Sequence, residues 1–231
     1  MEQRAVKTPE EIEVMVKAQR IAEKAFNEVL GMISTDMTEK ELALELLYAM
    51  MKNGAEDKSF DTIVVSGEKS SMPHGVPGDE KIKKGFLTID FGAKYKGYCS
   101  DTTRTLCIGK PTEEMKKVYY TVLSAQKAGI EAAKAGASGY DIDKAARDII
   151  DVAGYEGLFG HAFGHGLGVE IHELPRASRS YMEKIPEGAV ISAEPGVYIP
   201  GKFGVRIEDV LVITKDGSEN ITKLDKELVV L

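Results

Sequence analysis

Apolar residues recur at helical spacing in two stretches of the first half of the chain. Residues 8–11 (TPEE) form a capping box with proline at the first helical position, and the apolar periodicity that follows runs to Gly31. A second capping box at residues 38–41 (TEKE) begins another periodic stretch, which ends at residues 53–54 (NG). Two helices are therefore predicted before any long strand.

After these two helices, the apolar pattern predicts strands, then two further helices, and then strands again. Strands are predicted near residues 62–65, 86–91 and 98–108, and near 189–193 and 205–213. Between these two groups, Thr112 can cap a third helix, and a fourth runs over residues 140–153 and stops at Gly154. Each half thus has two helices followed by strands, although the halves share little residue identity. This order favours an α+β domain over a doubly wound α/β sheet.

Composition and charge restrict the function more than the fold. The chain has 231 residues, of which 43% are hydrophobic and 29% charged, enough for a well-developed core. Its formal charge of −7 argues against a nucleic-acid partner and against binding to an anionic membrane surface. Neither a membrane helix nor a signal peptide is predicted from the apolar runs.

The two cysteines indicate a reducing compartment. Cys99 and Cys107 lie in one predicted strand, so they would be about 26 Å apart, which is too far for a disulfide. Free thiols are typical of intracellular proteins, and we therefore expect a cytoplasmic location.

Two aspartates flank the first predicted hairpin. If its turn is centred between Tyr95 and Lys96, Asp90 and Asp101 are direct cross-strand partners with Cβ atoms about 5 Å apart. Two facing carboxylates destabilise a strand pair unless a cation lies between them. The alternative is a different register, in which one aspartate is solvated.

Two glutamates repeat this arrangement near the C-terminus. Glu194 and Glu208 are equidistant from Gly201, which lies in the turn-forming segment 200–202 (PGK). A hairpin centred there again brings two carboxylates face to face. One such pair arises easily by chance, but two in one chain indicate a cation site.

Three of the four histidines lie within twelve residues. The segment 160–176 is not a dinucleotide fingerprint, because Val169 stands where the third glycine belongs, and not a zincin motif, because Ala162 replaces the glutamate. A loop and a strand that present imidazoles to a cleft fit better, although any single one could be a packed core histidine. These histidines are His161, His165 and His172.

Four carboxylates and one imidazole form an oxygen-rich set that suits two hard or borderline divalent ions. The set consists of Asp90, Asp101, His165, Glu194 and Glu208. Two such ions can share a water, lower its pKa and polarise a carbonyl, so hydrolysis is the chemistry that the set predicts. No serine or cysteine stands in a nucleophile-elbow context.

The spacing of these five residues resembles the dinuclear-metal peptidases of pita-bread fold, which include methionine aminopeptidases, aminopeptidase P and prolidases. Six flanking motifs look like the Xaa-Pro branch of this family. They are MPHG at 72–75, GYCSDTTRT at 97–105, GHG at 164–166, HELP at 172–175, EPG at 194–196 and RIED at 206–209. The likeness runs from about Pro9 to the C-terminus.

The resemblance implies a pita-bread fold with two pseudo-symmetric halves, whose helices pack on a curved, mostly antiparallel sheet. It implies one catalytic domain over residues 1–231, without the additional N-terminal domain of the Xaa-Pro enzymes. The chain would be a naturally short relative or a shortened form. Because the missing domain helps form the family's dimer, a homodimer is left open.

The resemblance also implies a role for each metal ligand. Asp90 would bind one of two divalent ions, Asp101 and Glu208 would bridge both, His165 would bind one and Glu194 the other. Mn or Co is expected, and Zn or Fe is compatible with the same ligands. Glu194 would also act as general base on the bridging water, whose hydroxide attacks the substrate.

The other site residues are implied to hold the substrate. His74 and His172 would hydrogen-bond the substrate and the developing oxyanion. His161 and Arg206 would lie around the substrate pocket, and a structural salt bridge is an equal alternative for Arg206. Arg176 matches the position where prolidases hold the free carboxylate of a dipeptide, with a surface arginine as the alternative.

The expected function is hydrolysis of the Xaa-Pro bond, and the expected partner is a small peptide with proline at the second position, preferably a dipeptide. Aminopeptidase P activity is one alternative. A methionine aminopeptidase is another, although Pro73 precedes His74 where that branch typically has cysteine. The third is a pita-bread protein that has lost catalysis and binds peptides or proteins, and the retained ligands argue against it.

Overall fold

The helices form where capping residues precede an apolar periodicity. The computed structural model describes residues 2–231, with side chains from Arg4 onward. The helices are α1 (Glu2–Ala5), α2 (Pro9–Leu30), α3 (Glu39–Lys52), α4 (Glu113–Ala132) and α5 (Gly139–Ile150). Both predicted capping boxes are present, at Thr8 and Thr38, and Thr112 caps α4 as predicted. Among the described residues, no helix combines the length and apolar character needed to cross a membrane.

The strands are short and group after each helix pair. They are β1 (Asp57–Lys58), β2 (Ile63–Ser66), β3 (Gly85–Phe91), β4 (Ala93–Tyr95), β5 (Tyr98–Cys99), β6 (Thr102–Ile108), β7 (Gly164–Gly166), β8 (Glu173–Ala177), β9 (Val190–Ala193), β10 (Gly196–Ile199), β11 (Phe203–Arg206), β12 (Asp209–Ile213) and β13 (Ser218–Asn220). They form sheets in the orders β2-β3-β6, β1-β4-β5, β13-β12-β9-β7-β8 and β10-β11. All pairs between these strands are antiparallel, which agrees with the expected α+β class.

Each helix pair covers the sheet of its own half, and the first turns of α2 also pack on the second half, where Met15 shares a buried cluster with Val190 and Val210. In the first half, Phe26 of α2 stacks on Phe91 of β3 with ring centroids 5.2 Å apart. In the second half, Ile142 of α5 and Phe163 belong to a separate buried apolar cluster. The halves meet where β6 approaches the chain between β11 and β12, and there the Glu208 amide donates to the Thr103 carbonyl at 3.1 Å. Sheet ends from both halves therefore converge at one place.

Two strands that were predicted to be continuous are interrupted, each at a site carboxylate. The strand predicted over 98–108 is interrupted at Ser100–Asp101. The strand predicted over 205–213 is interrupted at residues 207–208, which include Glu208. Interruptions of a strand re-aim side chains and are frequent next to active sites. The prediction of unbroken strands was wrong at these two positions.

The first hairpin is shifted from the predicted register. Tyr95 pairs with Tyr98, so the turn consists of Lys96 and Gly97, with φ values of 47° and 78°. A two-residue turn with positive φ at both positions matches the twist of the flanking strands. The predicted turn centre between Tyr95 and Lys96 was therefore wrong.

This shift changes the partner of Asp90. Asp90 lies opposite Thr103 in the β3–β6 ladder and not opposite Asp101. Because Asp101 lies two residues before Thr103, side-chain alternation keeps it on the face that carries Asp90. The two aspartates are diagonal neighbours that line one pocket, and direct opposition was wrong.

The second hairpin has the predicted register. Gly196 pairs with Arg206 in β10–β11, and Ala193 pairs with Asp209 in β9–β12. Both ladders have Gly201 as their centre, and its φ of 71° suits the turn. The two predicted glutamates lie between these ladders, in the same register.

Gly92 is a position where a side chain would distort the support of the site. A Cβ there would lie 2.0 Å from the carbonyl oxygen of Ser100 and 2.9 Å from Oγ of Ser59. We expect Gly92→Ala to lower the free energy of unfolding in urea by about 2 kcal/mol, within the usual cost of overpacking. The control is Gly31→Ala, where φ is −73° and a Cβ meets no atom within 4 Å. Equal stability of the two variants would contradict the close approach.

Candidate metal centre

A pocket of about 320 Å³ opens where the two halves meet. Its wall combines both carboxylate pairs, the histidine-rich segment and the loop that carries His74. All ten residues that the sequence singled out line it: His74, Asp90, Asp101, His161, His165, His172, Arg176, Glu194, Arg206 and Glu208. The tertiary structure thus brings together groups that are up to 134 positions apart in the chain.

Three side chains that line the pocket offer the donor atoms of a metal site. Asp101, His165 and Glu208 each offer one ligand atom, and these atoms lie within 4.8 Å of one another. The Nε2 atom of His165 is 3.2 Å from Oε1 of Glu194 and 3.6 Å from Oδ2 of Asp101. Carboxylate oxygens with one imidazole nitrogen suit Mn, Co, Fe or Zn.

Asp90 has a carboxylate oxygen that a cation would satisfy. Its Oδ2 accepts a hydrogen bond from Nη2 of Arg206 at 2.7 Å, whereas its buried Oδ1 has no hydrogen-bond partner among the residues described. A buried polar atom without a partner is costly, and native structures contain few. The residues present therefore fit a bound divalent ion.

Neighbouring polar groups orient the remaining ligand atoms. The Thr103 hydroxyl donates to Oε2 of Glu208 at 2.7 Å, and the Ser192 hydroxyl donates to Oε1 of Glu194 at 3.1 Å. Nδ1 of His165 donates to the carbonyl of Gly166 at 3.1 Å, since a carbonyl can only accept. This tautomer leaves the Nε2 lone pair directed at the carboxylates, as a metal ligand requires.

Burial raises the pKa of three carboxylates of this cluster, those of Asp101, Glu194 and Glu208, and so favours their protonated forms. Burial raises the pKa of Asp101 well above its usual range, and the nearby carboxylates of Glu208 and Asp90 raise it further. The pKa of Glu208 is raised well above its usual range by burial and by the nearby carboxylates of Glu194 and Asp90, and burial raises the pKa of Glu194 to about 7. A divalent ion would replace these protons, since metal ligands must be deprotonated.

His161 and Arg206 form a hydrogen-bonded network on one side of the pocket. Nδ1 of His161 donates to the Ala162 carbonyl at 2.9 Å, so its Nε2 accepts from the Tyr198 hydroxyl at 2.8 Å. The Tyr198 oxygen in turn accepts from Nη1 of Arg206 at 2.9 Å. Burial lowers the pKa of His161 to about 3, which keeps the imidazole neutral. For Arg206, the structure contains the salt bridge to Asp90 that was one of its two predicted roles.

His172 and Arg176 lie on the outer side of the pocket. The His172 ring packs against the His165 ring at a centroid distance of 4.3 Å. Arg176 lies opposite His165 in the β7–β8 ladder, and its side chain is exposed. It is therefore at the pocket mouth, where a group of the substrate can reach it.

Sequence reasoning missed three residues that support the ligands: Thr103, Ser192 and Tyr198. Thr103 lies two positions after Asp101, and Ser192 lies two positions before Glu194. Side-chain alternation along a strand could have placed both on the ligand face. No comparable signal existed for Tyr198, because its partners come from a distant loop and a neighbouring strand.

Two helix-and-sheet halves with an acidic centre at their junction define a pita-bread protein of the metallopeptidase class. The model of Metallopeptidase family M24 matches residues 13–215, and the chain belongs to this family. The resemblance drawn from the sequence motifs is thereby confirmed.

Named relatives cover nearly all of the chain. An Xaa-Pro dipeptidase of Pyrococcus furiosus is 47% identical over 226 residues, which are 97% of this chain and 65% of the relative. The crystal structure of an X-Pro aminopeptidase from Thermotoga maritima MSB8 superposes with a TM-score of 0.98 at 44% identity, covering 100% of this chain and 66% of that one. The prolidase from Pyrococcus furiosus has a TM-score of 0.95 at 46% identity, covering 97% and 67%. The chain spans about 65% of the length of the curated relatives it matches.

Neutralising one buried carboxylate should stabilise the metal-free fold. Because the pKa of Asp101 is raised by folding, the metal-free protein loses stability as the pH rises above the ordinary carboxyl pKa toward the raised value. We expect Asp101→Asn to raise the free energy of unfolding at pH 8 by at least about 1 kcal/mol, and by less near pH 4. Urea unfolding of chelated protein at both pH values measures this.

Metal should reverse the order of stability. Added Mn²⁺ is expected to raise the Tm of the original chain and not that of Asp101→Asn, since binding stabilises only the form that binds. Asp148→Asn, which removes an exposed carboxylate on α5, is the matched control and should behave like the original chain. An Asp101→Asn variant that is less stable without metal at pH 8 would show that the buried carboxylates do not repel one another.

Proposed function

We propose that this chain is the catalytic domain of a peptidase that uses two divalent metal ions to hydrolyse Xaa-Pro bonds, preferably in dipeptides. The observation that carries this proposal is the convergence of four carboxylates and one imidazole in a pocket with an exposed arginine at its mouth. Two relatives of the same family are named for action on Xaa-Pro substrates, which supports the same substrate class.

The ligand set divides into bridging and single-metal residues. In the proposal, Asp101 and Glu208 would be the two carboxylates shared between the ions. Asp90 would hold one ion, His165 would hold one, and Glu194 would hold the other. When bound, two divalent ions lower the pKa of a water and polarise the substrate carbonyl.

The chain's own residues then move the proton and hold the substrate. Glu194 accepts a proton from the attacking water and passes it toward the prolyl nitrogen that leaves. Ser192 orients this carboxylate through its hydrogen bond to Oε1. His74 and His172 donate hydrogen bonds to the substrate and to the oxygen on which negative charge develops.

The network behind the pocket keeps this arrangement rigid. Arg206 contacts the Asp90 carboxylate, the Tyr198 hydroxyl and the Pro73 carbonyl, which precedes His74. His161 is tied to the same hydroxyl. In the proposal, His161 and Arg206 therefore shape the substrate pocket from fixed positions, while the proton transfers occur elsewhere.

Arg176 is the residue that would favour dipeptides. Its exposed guanidinium at the pocket mouth can hold a carboxylate through two parallel hydrogen bonds. In an Xaa-Pro dipeptide, the free carboxylate belongs to the proline itself and lies close to the scissile bond. A longer peptide has an amide in its place, so it would gain less from Arg176.

Cleavage of longer Xaa-Pro peptides is the second candidate activity. It is favoured by the likeness to the X-Pro aminopeptidase from Thermotoga maritima, which has a TM-score of 0.98. The open position of Arg176 leaves room for a chain that continues beyond the proline.

A substrate panel tests the proposal directly. Chelated protein is supplied with Mn²⁺, Co²⁺ or Zn²⁺ and assayed on Ala-Pro, Met-Pro, a longer Xaa-Pro peptide and Met-Ala. We expect metal-dependent release of proline from both dipeptides and slower cleavage of the longer peptide. Turnover of Met-Ala alone would instead indicate a methionine aminopeptidase. Metal binding without any turnover would contradict the proposal and favour a binding protein.

Arg176→Ala should separate the two Xaa-Pro activities. We expect the KM for Ala-Pro to rise about 10-fold to 100-fold, which corresponds to the loss of a charge-assisted hydrogen bond. The KM for Ala-Pro amide, which lacks the carboxylate, should hardly change. Arg179→Ala is the matched control, because Arg179 is exposed nearby and does not line the pocket. An equal effect on both substrates would refute carboxylate recognition by Arg176.

A further inference from the structure

A buried ion pair lies just outside the pocket and has no part in the proposed chemistry. Nζ of Lys7 is 3.2 Å from Oε2 of Glu173, and the two side chains are only 3% and 5% exposed. Arg4 contacts the other oxygen of the same carboxylate from the surface. Neither Lys7 nor Glu173 lines the pocket.

The Glu173 carboxylate holds the loop between β7 and β8. Its Oε1 accepts a hydrogen bond from the Glu170 amide at 3.0 Å. A Cβ at Gly168 would lie 2.9 Å from Oε2 of Glu173 and 3.0 Å from Cε of Lys7. The loop backbone is thus packed directly against the ion pair, and Cys99 holds it from the other side by donating its amide to the Gly168 carbonyl at 2.8 Å.

This loop delivers His172 to the pocket. His172 is the residue before Glu173, and its ring lies against His165. Glu173 is the first residue of β8 and directly follows His172. The position of the Glu173 backbone therefore fixes the position of the His172 Cα atom. A displacement of the Glu173 carboxylate would therefore move the imidazole relative to the metal ligands.

The backbone of Lys7 is hydrogen-bonded to the segment that leads into β9. Its amide donates to the Gly188 carbonyl at 2.9 Å, and Val6 forms an antiparallel bridge with Ala189, next to β9. A buried charge that loses its partner is strongly destabilised and tends to move toward water. Without the ammonium group, Oε2 of Glu173 would lose its buried partner, and the remaining side-chain cation, Arg4 on the surface side, would draw the carboxylate and the loop toward the surface.

We propose that Lys7 is a positioning residue: through its ion pair with Glu173 it fixes the loop 168–172 and holds the His172 imidazole against the pocket. This inference rests on the proposed function for its effect on catalysis, and its structural part can be tested independently.

The first test removes the charge of Lys7 and keeps an unbranched side chain of similar length. We expect Lys7→Met to lower kcat on Ala-Pro about 10-fold to 100-fold, the effect typical of a shift of about 1 Å in a catalytic group, with little change in KM. Lys7→Arg, which retains a charge, should recover most of the activity. Lys144→Met removes a lysine from an exposed pair with Asp148 and should leave kcat unchanged. An unchanged kcat in Lys7→Met would overturn the proposal.

A double-mutant cycle distinguishes positioning of His172 from a general loss of stability. If Lys7 acts through His172, then Lys7→Met should cause no further loss of kcat in a His172→Ala background. A full multiplicative loss in the double variant would show that Lys7 acts through another group. Should Lys7→Met fold poorly, Lys7→Met with Glu173→Leu removes both buried charges. It is expected to regain stability but not activity, and recovery of full activity would count against positioning.

The loop can also be observed without any catalysis. Amide hydrogen exchange at residues 168–172 should be faster in Lys7→Met than in the original chain or in Lys144→Met. Unchanged exchange would overturn the proposal even if activity fell. If the original chain fails to cleave any Xaa-Pro substrate, the proposed function fails, and the exchange measurement still decides whether Lys7 fixes the loop.

Discussion

Four carboxylates confined to one buried pocket are the constraint on which the rest of this structure depends. Like charges in a low-dielectric site repel strongly and raise one another's pKa, so the arrangement persists only with protons or cations among them. The Arg206 guanidinium supplies a permanent positive charge against Asp90, and neutral hydroxyls of Thr103 and Ser192 orient oxygens of Glu208 and Glu194. Among the residues described, Oδ1 of Asp90 has no hydrogen-bond partner, so this oxygen is available to a divalent ion.

Two hairpins, one from each half, bring the four carboxylates together. Both hairpins are interrupted where a ligand stands, at Asp101 and at Glu208, and the two breaks meet through the bond from the Glu208 amide to Thr103. The helices cover the sheets and contribute to three buried apolar clusters, one of which joins α2 to strands of the second half. The site thus belongs to neither half alone, and its geometry depends on how both are joined.

Local patterns predicted the elements well, because their causes are local. The capping boxes at Thr8 and Thr38 form as written, and the register around Gly201 follows from a turn segment with one clear centre. The predicted turn centre of the first hairpin was wrong by one residue, which shifts the strand pairing by two, because Lys96 adopts a positive φ that lysine seldom takes. A preference for turn residues alone cannot anticipate that choice, which the twist of the surrounding strands imposes.

By itself, the sequence determined which chemistry is available: two carboxylate pairs, a histidine cluster, no serine or cysteine nucleophile, and motifs that resemble one peptidase family. Only the tertiary structure decided which hydrogen-bond and ion-pair partner each of these side chains has. It gave Arg206 its ion pair, joined Nε2 of His161 to the Tyr198 hydroxyl, and joined Lys7 to Glu173 across 166 positions. The reason is physical: side-chain type and spacing follow from local sequence, whereas the partner of a buried polar group depends on elements far apart in the chain that packing brings together.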